Sequence, residues 1–162
     1  MTIISCSTSN DLPSSLPPEL PLLALDVGGK RIGVAVSDRL GISCRGVTCL
    51  FRNDQGWPKQ TLKLMREYGS KGIVVGLPKN MDGSEGIQAE DCRAAAKQLS
   101  TFTDVPIFFQ DERLSTWTAK ERLYAQGLNE KKVKLKLDQT AAAVFLEDFI
   151  AALVKQTENH HA

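Results

Sequence analysis

The stretch from Leu22 to Asp38, LLALDVGGKRIGVAVSD, constrains the fold of this chain more than any other. Four apolar residues, Leu22 to Leu25, lead into one carboxylate at Asp26, then Gly28-Gly29, then a second β-rich run from Ile32 to Val36. Two apolar runs separated by paired glycines predict a hairpin, because glycine accepts the positive φ that a tight turn demands. Asp26 is thereby placed where a buried strand emerges, beside the paired cations Lys30 and Arg31. Two roles fit an acid in that position: a cap for the turn, or a ligand for a cation.

The remaining chain punctuates itself in the same way. Met1 to Pro21 is rich in Ser and Pro and has no Lys or Arg. It reads as a disordered leader, with neither the basic start of a secretory signal nor the arginines of a mitochondrial presequence. Cys44 to Phe51 is a third strand by composition. Trp57, Thr61, Leu64, Met65 and Tyr68 recur at helical spacing, with Pro58 in the first turn and Gly69 past the end, which predicts a helix over 57–68. GIVVGL, Gly72 to Leu77, is a continuous apolar run of the kind buried on both faces of a sheet, and it ends in the loop Pro78 to Gly86. A helix is expected from about Ser84 to Phe102, with Ala94, Ala95, Ala96 and Leu99 inside. A fifth strand, Val105 to Phe109, runs out into Asp111-Glu112-Arg113. Ser115 or Thr116 then caps a helix to about Gln126, which Gly127 stops. Leu128 to Leu137 is the lysine-rich LNEKKVKLKL, and a last helix is expected from Asp138 to about Lys155, followed by a flexible tail over 156–162.

This order predicts an α/β domain over 22–155, built on a five-stranded mixed sheet: three antiparallel strands, then parallel strands joined by helical crossovers, with helices on both faces. At 162 residues, 42% hydrophobic and 24% charged, one such domain can bury a core without disulfide or metal staples. No apolar run is long enough for a membrane span, so no membrane partner is expected.

Composition also narrows the chemistry. A net charge of +1 gives no overall attraction to nucleic acid, so any basic patch must be local. Cysteines at 6, 44, 49 and 92 form no C-x-x-C pair, which argues against a zinc site or disulfide framework and fits a reducing cytosol. Histidine occurs only at His160 and His161, in a polar tail. Mechanisms that need an imidazole fixed in a site are thereby excluded. Any catalysis must rest on carboxylates, cations and a metal.

In an α/β sheet, ligands gather outside the carboxyl ends of the parallel strands. Asp26, the Pro78 to Gly86 loop and Glu112 all leave strands at that edge. Asp138 lies on the same helical stripe as Ala142, Phe145, Phe149 and Leu153, which turns it toward the sheet. It can equally serve as the N-cap of its own helix, a role worth about 1 kcal/mol. Three acids at one edge repel unless a cation lies among them. Mg²⁺ or Mn²⁺ suits an all-oxygen donor set and leaves room for water and phosphate. Two such ions would activate a water and stabilise the leaving oxygen of a phosphodiester, with no histidine required.

Four blocks, LDVGGKRIGVAVSD, GIVVGLPKNMDGSEG, DERLST and LDQTAAAVFLEDF, resemble in order the signatures of the YqgF family, also called RuvX or pre-16S rRNA nuclease. The resemblance runs from Leu22 to about Val154. It implies a ribonuclease H-like fold and a cytoplasmic, Mg²⁺- or Mn²⁺-dependent endonuclease that trims the 5′ end of precursor 16S rRNA during ribosome biogenesis. The family's acid positions match Asp26, Glu112 and Asp138, and Gly29 stands where many members carry Thr or another small residue. The implied partner is structured RNA in a pre-ribosomal particle. Branched DNA, cut as by a Holliday-junction resolvase, is an alternative, as is a non-catalytic nucleic-acid module of the same fold. Lys30, Arg31 and Arg113 either hold substrate phosphates or balance the acids. Lys131, Lys132, Lys134 and Lys136 either grip the RNA backbone or form a solvated segment. An actin-type ATPase would also place glycines after a strand-ending Asp, but the chain is too short for two lobes, and it has no G-x-x-x-x-G-K-[ST] loop.

Overall fold

The structure is a computed structural model that describes residues 3–4 and 18–160. The two continuous apolar runs become the central strands β2 (Leu22–Val27) and β5 (Gly72–Leu77), which pair in parallel. On one side of β2 an antiparallel meander continues through β3 (Arg31–Ser37) and β4 (Cys44–Phe51). On the other side of β5 lies β6 (Ile107–Asp111), again parallel. Helices α1 (Trp57–Tyr68) and α2 (Ile87–Ser100) make the crossovers, and α3 (Ser115–Ala125) and α4 (Glu130–His160) follow β6.

These five strands are the ones expected, in a mixed sheet with the expected directions. A sixth, β1 (Ile3–Ile4), pairs in parallel with the outer edge of β6, Ile3 opposite Ile107, and completes the order β1-β6-β5-β2-β3-β4. It falls inside the stretch read as a leader, most of which lies outside the described residues.

Strand alternation divides the core in two. Leu23, Leu25 and Val27 face α1 and α2, packing with Trp57, Met65, Ala95, Ala96 and Leu99. Leu22, Ala24, Ala35, Val74 and Phe108 face α4, packing with Ala142, Phe145, Leu146 and Phe149. Helix α3 lies outside the sheet against α4, through Ala119, Ala141 and Val144.

Several expectations need correction. The last helix starts at Glu130 and not at Asp138, so the lysine run is helical and Asp138 is two turns inside. It is therefore no N-cap. That cap is Asn129, whose Oδ1 accepts from the Lys132 amide at 3.0 Å. The helix also continues through His160, past the expected end at Lys155; residues 161 and 162 lie outside the described residues. In α2, Ala94 is exposed, and Ala89 and Cys92 fill the core with Ala95, Ala96 and Leu99. Strand β6 sits two residues further along than expected, which makes Asp111 its last member. Among the described residues, no helix is long and apolar enough to cross a membrane.

Candidate active site

Asp26 and Gly76 lie level on neighbouring strands, because Leu25 pairs with Val75. Glu112 leaves the end of β6, on the far side of β5. Neighbouring strands are about 4.8 Å apart, so two strand spacings separate the backbones that carry the two acids. Gly76 makes the bridge possible. A Cβ there would fall on Glu112 Oε2 and meet the Phe145 ring, and its absence lets the Glu112 side chain lie back across β5. The two carboxyl groups form a side-chain hydrogen bond.

The third acid arrives from above. Asp26 is the cross-strand partner of Gly33 in the β2–β3 ladder. The backbone of Asp138 occupies the place that a Cβ on Gly33 would take. A Cβ on Gly46 of β4 would press on the Gln139 side chain, with Cγ 2.9 Å away. Helix α4 thus seats directly on glycines, and Asp138 stands over the neighbour of Asp26. Its carboxylate pairs with Arg31, Nε to Oδ2 at 3.0 Å. Its charge reaches Asp26 and adds to the upward shift of that acid.

Burial dominates the titration of the pair. It pushes Asp26 up to about 6, with the hydrogen bond from Glu112 working against it and the charge of Asp138 adding to it. Glu112 is pushed up to about 9, first by burial, then by the Asp26 charge and the hydrogen bond, with Asp111 contributing. At neutral pH the pair therefore shares one proton, which Glu112 donates. Two half-buried carboxylates sharing a proton lack positive charge. The donor set is all oxygen and suits a hard divalent ion in place of that proton. Among the described residues, no three acid, histidine or cysteine side chains stand as a ligand cluster, and the Asp138 carboxylate is paired with Arg31. Asp26 and Glu112 together offer oxygen donors of the kind such an ion takes, while Asp138 is held by Arg31.

The other expected residues are divided. Lys30 is exposed in the β2–β3 turn. That turn is braced by Arg52, which donates to the Gly28 carbonyl at 3.0 Å and pairs with Asp91 of α2 at 2.8 Å. The reading of Gly28-Gly29 as positive-φ turn residues is corrected: neither takes positive φ. Gly28 is instead needed for close approach, since its amide donates to the Arg31 carbonyl at 2.8 Å and a Cβ would lie 3.0 Å from that oxygen. Arg113 is engaged away from the acids, with Nε on Asp111 at 2.7 Å and Nη1 on the Met81 carbonyl at 3.4 Å. The Pro78 to Gly86 loop is braced internally, by Ser84 on Asp82 and a turn at Gly83 with φ 86°. It is a connector that closes on itself. On α4, Lys131 and Lys134 share one side and line a groove against α3, while Lys132 and Lys136 lie roughly 100° or more around the helix from Lys131.

The pairing of Asp26 with Glu112 depends on residues that the sequence pattern did not single out. Arg52 had no visible signal. The two contact glycines, Gly33 and Gly76, stood inside strand patterns, where an isolated glycine marks a close backbone approach. Leu114 adopts φ 68° between Arg113 and α3, the single positive-φ non-glycine among the described residues. The turn it makes lets the Ser115 amide donate to the Glu112 carbonyl at 3.0 Å.

Comparison with known proteins identifies the family and the fold. A family model described as "RuvX: Holliday junction resolvase" matches residues 21–152. The "Putative pre-16S rRNA nuclease" of Moorella thermoacetica is 41% identical over 133 residues, covering 82% of this chain and 95% of that one. The protein of the same name from Ruegeria pomeroyi is 40% identical over 143 residues, covering 88% and 93%. Among solved structures, T. thermophilus RuvC in complex with Holliday junction substrate superposes with a TM-score of 0.51 at 12% identity, over 85% of this chain and 96% of that one. At that identity the likeness speaks for the fold alone, which is ribonuclease H-like.

Proposed function

The chain belongs to the RuvX Holliday junction resolvase family, and on that premise we propose that it is a divalent-metal-dependent endonuclease that trims the 5′ end of precursor 16S rRNA in the cytoplasm. The observation that carries this reading is the hydrogen-bonded Asp26–Glu112 pair, set across Gly76 with Asp138 over Gly33. The names of the relatives support the substrate.

In this reading Asp26 and Glu112 hold the ion and Asp138 completes an all-oxygen donor set. A bound Mg²⁺ or Mn²⁺ supplies positive charge that polarises the scissile phosphate and eases ionisation of an attacking water. Arg31, released when Asp138 turns inward, pairs with a phosphate oxygen of the substrate. Lys30, on the exposed turn beside it, holds the next phosphate. Arg113 keeps the Met81 loop against the end of β6 and so fixes the wall beside Glu112.

The test is cleavage of a transcript carrying the 5′ extension of 16S rRNA, with Mn²⁺ or Mg²⁺ present or chelated. Asp26→Asn and Glu112→Gln should each lower the rate by about 100-fold or more, as expected when a preorganised electrostatic group is lost. Cutting that survives both substitutions would sink the reading. A second reading, cleavage of branched DNA, is favoured by the family's description. A four-way DNA junction cut in preference to the transcript would transfer the assignment to it.

A further inference from the structure

Helix α3 exposes two large aromatic side chains that neither the core nor the acid site uses. Trp117 is 61% exposed and Tyr124 is 49% exposed. They are seven residues apart, with Lys120 between them on the same stripe. Across from the Lys120–Tyr124 part of this stripe, α4 presents Lys131 and Lys134. Together with Lys120 and Tyr124 they line a groove of about 640 Å³, with Val133 and Leu137 beneath and Glu130 as the one acid in its wall. Trp117 lies beyond the groove's lining, one turn nearer the start of α3. None of the three lysines takes part in an ion pair among the described residues.

Both helices connect this groove to the acid site. Helix α3 begins at Ser115, whose amide is bonded to the Glu112 carbonyl, and Trp117 lies in its first turn. On α4, Lys131, Lys134 and Asp138 follow at helical spacing along one side. Flat aromatic faces flanked by cations suit unstacked bases on a phosphate chain, whereas a duplex keeps its base faces covered. Seven helical residues span about 10.5 Å, so the two rings are spaced for bases that are not neighbours in one stack.

We propose that the groove between α3 and α4 binds a single-stranded RNA segment, with Trp117 and Tyr124 stacking on its bases and Lys120, Lys131 and Lys134 holding its phosphates, and that this strand leads into the Asp26–Glu112 cleft. The choice of RNA rests on the function proposed above. The groove therefore selects substrates whose cleavage site adjoins an unpaired extension.

The experiment uses the full chain in chelator, so that nothing is cut, and a short single-stranded RNA. Of the two tryptophans, Trp57 is buried and Trp117 is the exposed reporter. Saturating RNA should quench its fluorescence. Trp117→Ala with Tyr124→Ala should weaken binding about tenfold or more, from the usual worth of a base–aromatic stack. Lys120→Gln with Lys131→Gln and Lys134→Gln should flatten the slope of log K against log salt by about 2, since each single-strand phosphate contact contributes about 0.7. Lys59→Gln with Lys63→Gln and Lys155→Gln removes the same charge elsewhere and should leave the slope unchanged. Thermal melts confirm that each variant is folded. Unquenched fluorescence, tighter binding of duplex RNA than of the single strand, or aromatic variants that bind as the parent does would each overturn the groove. A preference for single-stranded DNA of the same sequence would overturn the RNA assignment and favour junction cutting. If groove variants bind and cut like the parent while Asp26→Asn does not cut, the groove fails and the nuclease reading stands.

Discussion

A methyl group added at Gly76 would land on the Glu112 carboxylate and the Phe145 ring, and one added at Gly33 would meet the α4 backbone at Asp138. Overpacking of this kind costs about 1–3 kcal/mol. Gly76→Ala should fall within that range and Gly33→Ala at its upper end, because a side chain can give way more easily than a helix backbone. Urea unfolding measures both, and the proposed cleavage should be lost with Gly76→Ala even at temperatures where the variant is folded. Gly29→Thr should change stability by less than about 0.5 kcal/mol, since nothing lies within 4 Å of a Cβ there. Leu114 holds φ 68°. The left-handed region costs a side-chain-bearing residue about 1–2 kcal/mol, so Leu114→Gly should recover part of that, and a lower melting temperature would contradict the account. At this scale the sequence reveals Asp26 and Glu112, because an acid after an apolar strand is visible in one dimension. It hides Gly76, whose role depends on a side chain from another strand.

Helix α4 shows where pattern reading stops. Trp57–Tyr68 and Gly72–Leu77 carry one unmixed period each, and their observed limits match the expected ones. In Lys131 to Leu137 the apolar residues Val133, Leu135 and Leu137 alternate with lysines, a period of two that masks a helical period. The overlooked signal was Asn129 followed by Glu130, directly after Gly127 had closed α3. Helical geometry then separates the three apolar residues: Val133 is buried, Leu137 is half-buried and Leu135 is 67% exposed. Val133→Ala should therefore cost about 1–2 kcal/mol by loss of buried methyl groups, and Leu135→Ala less than about 0.5 kcal/mol. Equal costs, measured by denaturant unfolding, would contradict the helical register. That register also decides which lysines act together, since Lys131 and Lys134 face α3 while Lys132 and Lys136 do not.

For the molecule as a whole, the site is a net cost to folding in the absence of a cation. The sheet buries its two faces in separate cores, and the acid pair sits on the α4 face where apolar packing ends. Both acids titrate higher in the folded protein than in an unfolded chain, Asp26 at about 6 against 3.8 and Glu112 at about 9 against 4.5. Below the unfolded values both states are protonated and the pair has no effect. Above them the unfolded chain releases protons that the folded chain retains, so stability falls as pH rises and the full penalty is reached above about 9. The acids shifted downward, Asp38, Asp82, Glu85 and Asp91, act in the opposite sense but finish their titration in the acid range. The exposed-to-buried thiol shifts of Cys44 and Cys92 begin to matter only above the unfolded value of 9.0. Between about pH 5 and 8 the slope therefore belongs mainly to Asp26 and Glu112, with a smaller part from Asp148, which burial also raises. Denaturant unfolding in chelator should show stability declining across that interval, and Glu112→Gln should flatten most of the decline while raising stability at pH 8. Mn²⁺ at about 100 times its dissociation constant should return about 2.7 kcal/mol to the parent protein at pH 8. The same addition should do little for a chain carrying both Asp26→Asn and Glu112→Gln. A parent protein whose stability is level from pH 5 to 8 would show that the two carboxyl groups share no proton, and a double variant that responds equally to Mn²⁺ would show that they do not hold the ion.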